Sequence, residues 1–222
     1  MKKNFEVVTL ALILVLSSLS VCACESINHI TRYEKTYSKN FAAPKNGWIH
    51  EDGTDHYYHN NISMSGWIQD TGKYYIDPVT YTKTIGWKKI EDYLYYFDES
   101  GAVITGWHEI DNNKYYFRSS GAMATEWILI DGKWYYFNSE GIMLTGWQKL
   151  DDNWYYLIST GEMLQDEWFK DGEDWYYFGP TGKMLTKWQQ INGKWYFFYS
   201  DGKMAHDTTI NGYTLGSNGV LN

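Results

Sequence analysis

The chain has 222 residues, of which 44% are hydrophobic and 19% aromatic, and a formal net charge of −8. No basic patch accompanies that acidity, which argues against nucleic acid as a partner. Its two cysteines, Cys22 and Cys24, lie together near the N-terminus, so the remainder carries no disulfide framework and must hold itself together by burial.

Lys2 and Lys3 precede an apolar run from Val7 to about Leu19. That run is too short to span a bilayer comfortably and fits an export signal over residues 1–23. Val21-Cys22-Ala23 presents small residues where an ordinary signal is cut. Val21-Cys22-Ala23-Cys24 also looks like a bacterial lipobox, with Cys24 as the lipidated residue and Cys22 as an unusual occupant. Both readings stand, and the second offers the chain's one expected route to a membrane. Removing residues 1–23 takes away two Lys and one Glu, leaving 17 basic and 26 acidic residues, a net charge of −9. Residues 24–46 read as a linker with a capping segment. Thr31-Arg32-Tyr33-Glu34 has the form of a capping box, and Tyr33, Tyr37 and Phe41 share one face of a short helix.

From residue 47 onward the chain repeats. Trp48, Trp67, Trp87, Trp107, Trp127, Trp147, Trp168 and Trp188 are spaced by 19, 20, 20, 20, 20, 21 and 20 residues. Seven residues after the last four come Trp134, Trp154, Trp175 and Trp195, which completes the set of 12 tryptophans. Met123, Met143, Met163, Met184 and Met204 keep the same beat. Each period holds two turn signals. Asp131-Gly132, Asp171-Gly172 and Asn192-Gly193 supply the positive φ of a tight hairpin. Ser139-Glu140-Gly141, Ser159-Thr160-Gly161 and Ser200-Asp201-Gly202 end the second strand.

One period is therefore a short β-hairpin, which is barely stable alone. Strands such as Lys133-Trp134-Tyr135-Tyr136-Phe137 place rings on both faces. Two apolar faces require two covers, one at the axis of a stack and one at the neighbouring repeat, so the expected fold is an all-β solenoid of stacked hairpins of about 20 residues, over residues 47–222. Terminal repeats should be atypical, as in the shortened Asn211-Gly212-Tyr213-Thr214-Leu215.

The pattern GW, then seven residues to WYYF, then G-x-M-x-T-G-W resembles the choline-binding repeats of bacterial cell-wall proteins. The best copies are Gly146-Trp147 with Trp154-Tyr155-Tyr156 and Gly161-Glu162-Met163, and Trp188 with Trp195-Tyr196-Phe197 and Gly202-Lys203-Met204. The resemblance covers about residues 47–222 and implies a left-handed solenoid with ligand sites between consecutive hairpins. It implies boxes of Trp127 and Trp134 with Tyr155, of Trp147 and Trp154 with Tyr176, and of Trp168 and Trp175 with Tyr196. Met143, Met163 and Met184 are the candidate floors, and Trp188 and Trp195 belong to the same series. Successive strand residues face opposite ways, so only one Tyr of each pair can meet a ligand, and which one stays open.

Such boxes suit a quaternary ammonium, which cannot donate a hydrogen bond and is recognised by the negative faces of aromatic rings. Choline-substituted teichoic acid on the cell surface is the expected partner, with no cofactor, metal or catalytic residue. Leu94 and Lys114 stand where the second Trp is expected, and Lys114 would place a cation where a cation must bind. About three or four sites are therefore expected. The substitutions favour an alternative, a carbohydrate-binding module for glucan or host glycan, and a rod without a small ligand is a third reading. His50, Asp52, Asp55, His56 and His59 cluster in the first repeat and are read as a polar end rather than a metal site. No nucleophile triad or phosphate loop appears, and a carboxylate pair for glycoside hydrolysis would need one cleft, which the spacing does not suggest.

Overall fold

The computed structural model describes residues 43–222. The export signal, Cys24 and the expected helical segment at Tyr33, Tyr37 and Phe41 lie outside the described residues. Two compact units are distinguished, Met1–Met64 and Ser65–Asn222. Among the described residues every regular element is a strand.

In the first unit, Gly47–Glu51, Thr54–His59 and Ile62–Ser63 form a three-stranded antiparallel sheet. Trp48 packs edge-on against Tyr57, its cross-strand partner, at 5.0 Å. Glu51 pairs with Lys45 and accepts a 2.9 Å hydrogen bond from the Tyr58 hydroxyl.

The second unit is eight two-stranded antiparallel hairpins in sequence. The Trp127 hairpin, Glu126–Ile130 with Lys133–Phe137, shows the plan. Ile130 pairs with Lys133 across Asp131 and Gly132, whose φ values of 49° and 79° make a type I′ turn. Asp111-Asn112, Asp151-Asp152 and Asn192-Gly193 repeat that geometry. The Trp168 hairpin differs from its expected turn. Asp171 pairs with Asp174, so the loop is Gly172-Glu173, with positive φ at the Gly. That arrangement, Gly first, belongs to the type II′ turn.

Register explains the rings on both faces. Trp127 pairs with Tyr136 and Leu129 with Trp134, which places those side chains on one face. Ile128, Ile130, Tyr135 and Phe137 take the other. The last residue of each second strand is fully buried: Ile76, Phe97, Phe117, Phe137, Leu157, Phe178, Phe198 and Leu215 all lie at 0–1% exposure. This column is the axial core, and each such side chain contributes about 1.5–3 kcal/mol by burial.

Successive repeats are then joined by the G-x-M segment. Met143 bridges Phe137 of its own repeat, while its N–H donates to the Lys114 carbonyl of the repeat before, at 2.9 Å. The same link ties Met163 to Trp134, Met184 to Trp154 and Met204 to Trp175, each at 2.8 Å. Each Met side chain lies against the loop glycine of the next repeat. A Cβ at Gly161 would fall 2.3 Å from the Met143 sulfur, and one at Gly182 2.3 Å from that of Met163. The period thus contains a Gly because the loop backbone takes a positive φ there, and in the later repeats a thioether also occupies the space a side chain would need.

Candidate functional site

The seams between hairpins carry one aromatic constellation, repeated. Trp127 stands 5.0 Å from Tyr136 of its own hairpin and 5.0 Å from Tyr155 of the next. Trp147 stands 5.4 Å from Tyr156 and 4.9 Å from Tyr176, and Trp168 5.1 Å from Tyr177 and 4.9 Å from Tyr196. The question of which Tyr faces the seam is answered by this geometry. The first Tyr of each pair reaches back to the preceding Trp, and the second packs against the Trp of its own hairpin.

The second tryptophan closes a third side. Trp134 lies 6.5 Å from Trp127 at 86°, Trp154 6.1 Å from Trp147 at 88°, and Trp175 6.3 Å from Trp168 at 84°. Each of these seams thus brings two near-perpendicular indoles together with a tyrosine from the next hairpin. Trp134, Trp154, Trp175 and Trp195 remain 37–44% exposed, so the boxes open to solvent. Burial raises the pKa of the Tyr155 and Tyr176 phenols above their ordinary value.

A fourth box occurs at the C-terminal end. Trp188, Trp195, Tyr213 and Leu221 line a cavity of about 360 Å³, with Trp188 and Tyr213 at 5.7 Å. The repeat pattern places Trp188 and Trp195 in the series but not their third ring. The signal was present: Tyr213 sits two residues before the buried Leu215, as Tyr196 sits two before Phe198.

The methionines fall one repeat later than the expected set. The Trp168 cavity, about 540 Å³, is lined by Trp175, Tyr196 and Met204 together with Glu173 and His206. Met204 is joined to Trp175 through its backbone, and the same link assigns Met163 to the Trp134 box and Met184 to the Trp154 box. Met143 lines a different cavity, with Trp107, Tyr135 and Lys114. The shift arises because the G-x-M segment hydrogen-bonds to the preceding repeat rather than to its own second strand alone. Leu221 takes the Met position in the last box.

Two acidic groups were not anticipated. Asp171 accepts a 2.9 Å hydrogen bond from the Trp147 indole and so holds that ring in place. Glu173 brings a carboxylate to the Trp168 cavity, where it would favour a cation.

The N-terminal seams of this unit keep the first Trp and the tyrosines but not the second Trp. Trp87 lies 5.2 Å from Tyr115, and Trp107 4.9 Å from Tyr135. Opposite them stand Leu94 and Lys114, cross-strand partners of Lys89 and Glu109. The Trp107 cavity, about 320 Å³, therefore mixes two rings with Lys114, Glu109 and Thr160.

In the first repeat, His50 Nδ1 lies 2.8 Å from Asp55 Oδ1 and His56 Nε2 2.9 Å from the Thr54 hydroxyl. Among the described residues, no group of three or more His, Cys, Asp or Glu side chains could hold a metal ion. No helix among them is long and apolar enough to cross a membrane.

Comparison with known proteins bears on these seams directly. The model of the choline-binding repeat matches residues 84–126, 124–168 and 185–215, and that of the putative cell wall binding repeat matches 166–184. Among solved structures, CbpJ from Streptococcus pneumoniae TIGR4 is 40% identical over 76% of this chain and 62% of its own, with a TM-score of 0.73. Choline binding protein F from Streptococcus pneumoniae is 40% identical over 76% of this chain and 61% of its own, with a TM-score of 0.71. The choline-binding domain of CbpL from Streptococcus pneumoniae is 30% identical over 80% of this chain and 97% of its own, with a TM-score of 0.60. The chain thus spans about three fifths of the length of the first two relatives. Comparison with curated proteins yields no match. With repeat models covering 84–215 on a fold of stacked hairpins, the chain belongs to the choline-binding repeat family.

Proposed function

We propose that this chain binds choline groups on bacterial cell-wall polymers, teichoic or lipoteichoic acids, through the boxes of Trp127, Trp147, Trp168 and Trp188, without catalysis. The observation that carries the reading is the right-angled, solvent-open indole pair facing a tyrosine from the next hairpin. A trimethylammonium head is apolar on its surface and positive overall, so it gains from ring faces and loses less on leaving water than a primary ammonium, which must also give up its N–H hydrogen bonds. At ~0.5–2 kcal/mol per ring, three rings supply about 2–6 kcal/mol, a single-site Kd near millimolar. Four boxes in one stack of hairpins facing a polymer with many choline groups convert weak sites into firm retention through effective concentration. The chain would act at the cell surface, exported by residues 1–23 and either released by ordinary signal cleavage or anchored by lipid on Cys24.

A second reading attaches to one cavity only. Lys114, Glu109 and Thr160 around Trp107 supply a donor, an acceptor and a hydroxyl beside a ring face. A quaternary ammonium would meet the Lys114 charge, whereas a sugar could stack on the indole and use all three polar groups. This favours a saccharide at the Trp107 seam.

The test is retention of the exported chain on a choline matrix, challenged with free choline or soluble glucan. Elution by choline alone supports the main reading. Passage through the choline matrix with retention on dextran would overturn it in favour of the saccharide, and retention on neither would leave a structural rod.

A further inference from the structure

The Trp67 seam has the same rings as the four boxes but a different third wall. Trp67 lies 5.2 Å from Tyr75 and 5.0 Å from Tyr95, at 67° to the latter. The Trp127–Tyr155 pair has nearly the same geometry, 5.0 Å at 61°. Gln69 pairs with Lys73 as Leu129 pairs with Trp134 and Lys149 with Trp154, so Lys73 holds the position of the second indole.

Its ammonium does not turn away to solvent. Lys73 Nζ sits 4.1 Å from the centroid of the Trp67 ring, well inside cation–π range. It also donates a 2.8 Å hydrogen bond to the Ser120 carbonyl, 47 residues away. Ser120 precedes the loop glycine Gly121. The equivalent loop residues, Thr160 before Gly161 and Asn218 before Gly219, line the Trp107 and Trp168 cavities. Ser120 therefore holds, at the Trp67 seam, the loop position that lines those two cavities.

We infer that the Trp67 seam is a cation site occupied in cis, in which the Lys73 ammonium takes the place of an external ligand and excludes quaternary ammonium ions from that seam. The chemistry differs from the four open boxes in one respect. Nζ carries N–H donors and satisfies a backbone carbonyl, which a trimethylammonium group cannot do. The site is thus suited to a primary ammonium, and Lys73 clasps the hairpin of Trp67 to the loop at Ser120. The exclusion of quaternary ammonium ions rests on the choline reading above; the internal occupancy does not.

The experiment compares the wild-type chain with Lys73→Ala and Lys73→Trp. Lys73→Ala should lower the melting temperature by about 2–4 °C, the scale of a lost interaction of about 1 kcal/mol in a chain of this size. Methylammonium should restore that loss and leave the wild type almost unmoved, while tetramethylammonium, which cannot reach the carbonyl with a donor, should restore less. Lys73→Trp should raise the number of choline sites seen by titration calorimetry from four to five. Lys73→Met, which keeps the stem but not the charge, replaces the alanine variant if that fails to fold. An unchanged melting temperature, or equal response of both chains to methylammonium, would overturn the inference. A wild-type chain that binds no choline while methylammonium still rescues Lys73→Ala would sink the proposed function and leave the internal site standing.

Discussion

Trp147 and Tyr176 belong to different hairpins, yet their rings stand 4.9 Å apart at 68°. No single repeat therefore contains a complete box. Each site is assembled by stacking, and Tyr176 is at once a wall of the box and, at 8% exposure, part of the core that makes stacking favourable. The contrast with Trp154, 39% exposed on the same seam, separates residues whose loss should affect binding from those whose loss should affect folding.

Trp154→Ala should remove one wall of one box and leave the axial core untouched. The loss of one ring, ~0.5–2 kcal/mol, weakens that site roughly 2- to 30-fold. Titration calorimetry should show one site weakened while the circular dichroism of the β-structure is retained. Tyr176→Ala should instead destabilise the fold by about 3 kcal/mol, the cost of truncating a buried ring. Full choline affinity in a folded Trp154→Ala chain would count against the assigned box.

Gly161→Ala tests the thioether column. Gly161 has φ +95°, and a Cβ there would lie 2.3 Å from the Met143 sulfur. Backbone strain and overpacking together should cost about 2–4 kcal/mol. The double variant with Met143→Ala should recover the steric part and not the backbone part. A denaturant-melting cycle would read that coupling as non-additive, whereas strict additivity would mean the two residues do not touch.

Glu126 and Lys187 hold φ values of 62° and 65° at a position where Gly86, Gly106 and Gly146 carry 73°, 79° and 76°. A non-glycine residue in that region is strained by about 1–2 kcal/mol, part of which is offset by the greater chain entropy of glycine. Glu126→Gly and Lys187→Gly should each stabilise the chain by about 0.5–1 kcal/mol. A rise in the denaturation midpoint checks this, and a fall would show that the side chains hold contacts worth more than the strain.

Acid stability should depend in part on Asp77. The hydrogen bond from Lys88, and those from the Val79 and Thr80 amides, lower its pKa from 3.8 to about 2. Because the folded value lies below the unfolded one, this contribution is whole above about pH 4 and is lost as pH falls towards 2. Solvent screening at Lys88, whose side chain is 36% exposed, limits it to about 1 kcal/mol. Asp77→Asn should therefore destabilise the chain at pH 7 by about that amount and flatten its stability profile between pH 4 and 2. An unchanged profile would mean the ion pair contributes nothing.

The sequence by itself determined the repeat, the hairpins and the stacking. Positive-φ pairs such as Asn192-Gly193, a Trp every 20 residues and rings on both strand faces are local chemistry, and only stacked hairpins satisfy them. The tertiary structure alone decided how the seams are completed. Met204 rather than Met143 joins the aromatic boxes, because the G-x-M backbone bonds to the preceding repeat. Tyr213 becomes a third ring because the short last hairpin still lands over Trp188. Lys73 turns inward onto Trp67 because a carbonyl from a loop 47 residues away waits there. Period and turn type are set by neighbours in the chain, whereas box membership is set by neighbours in space, and spacing along the chain does not encode which side chain arrives.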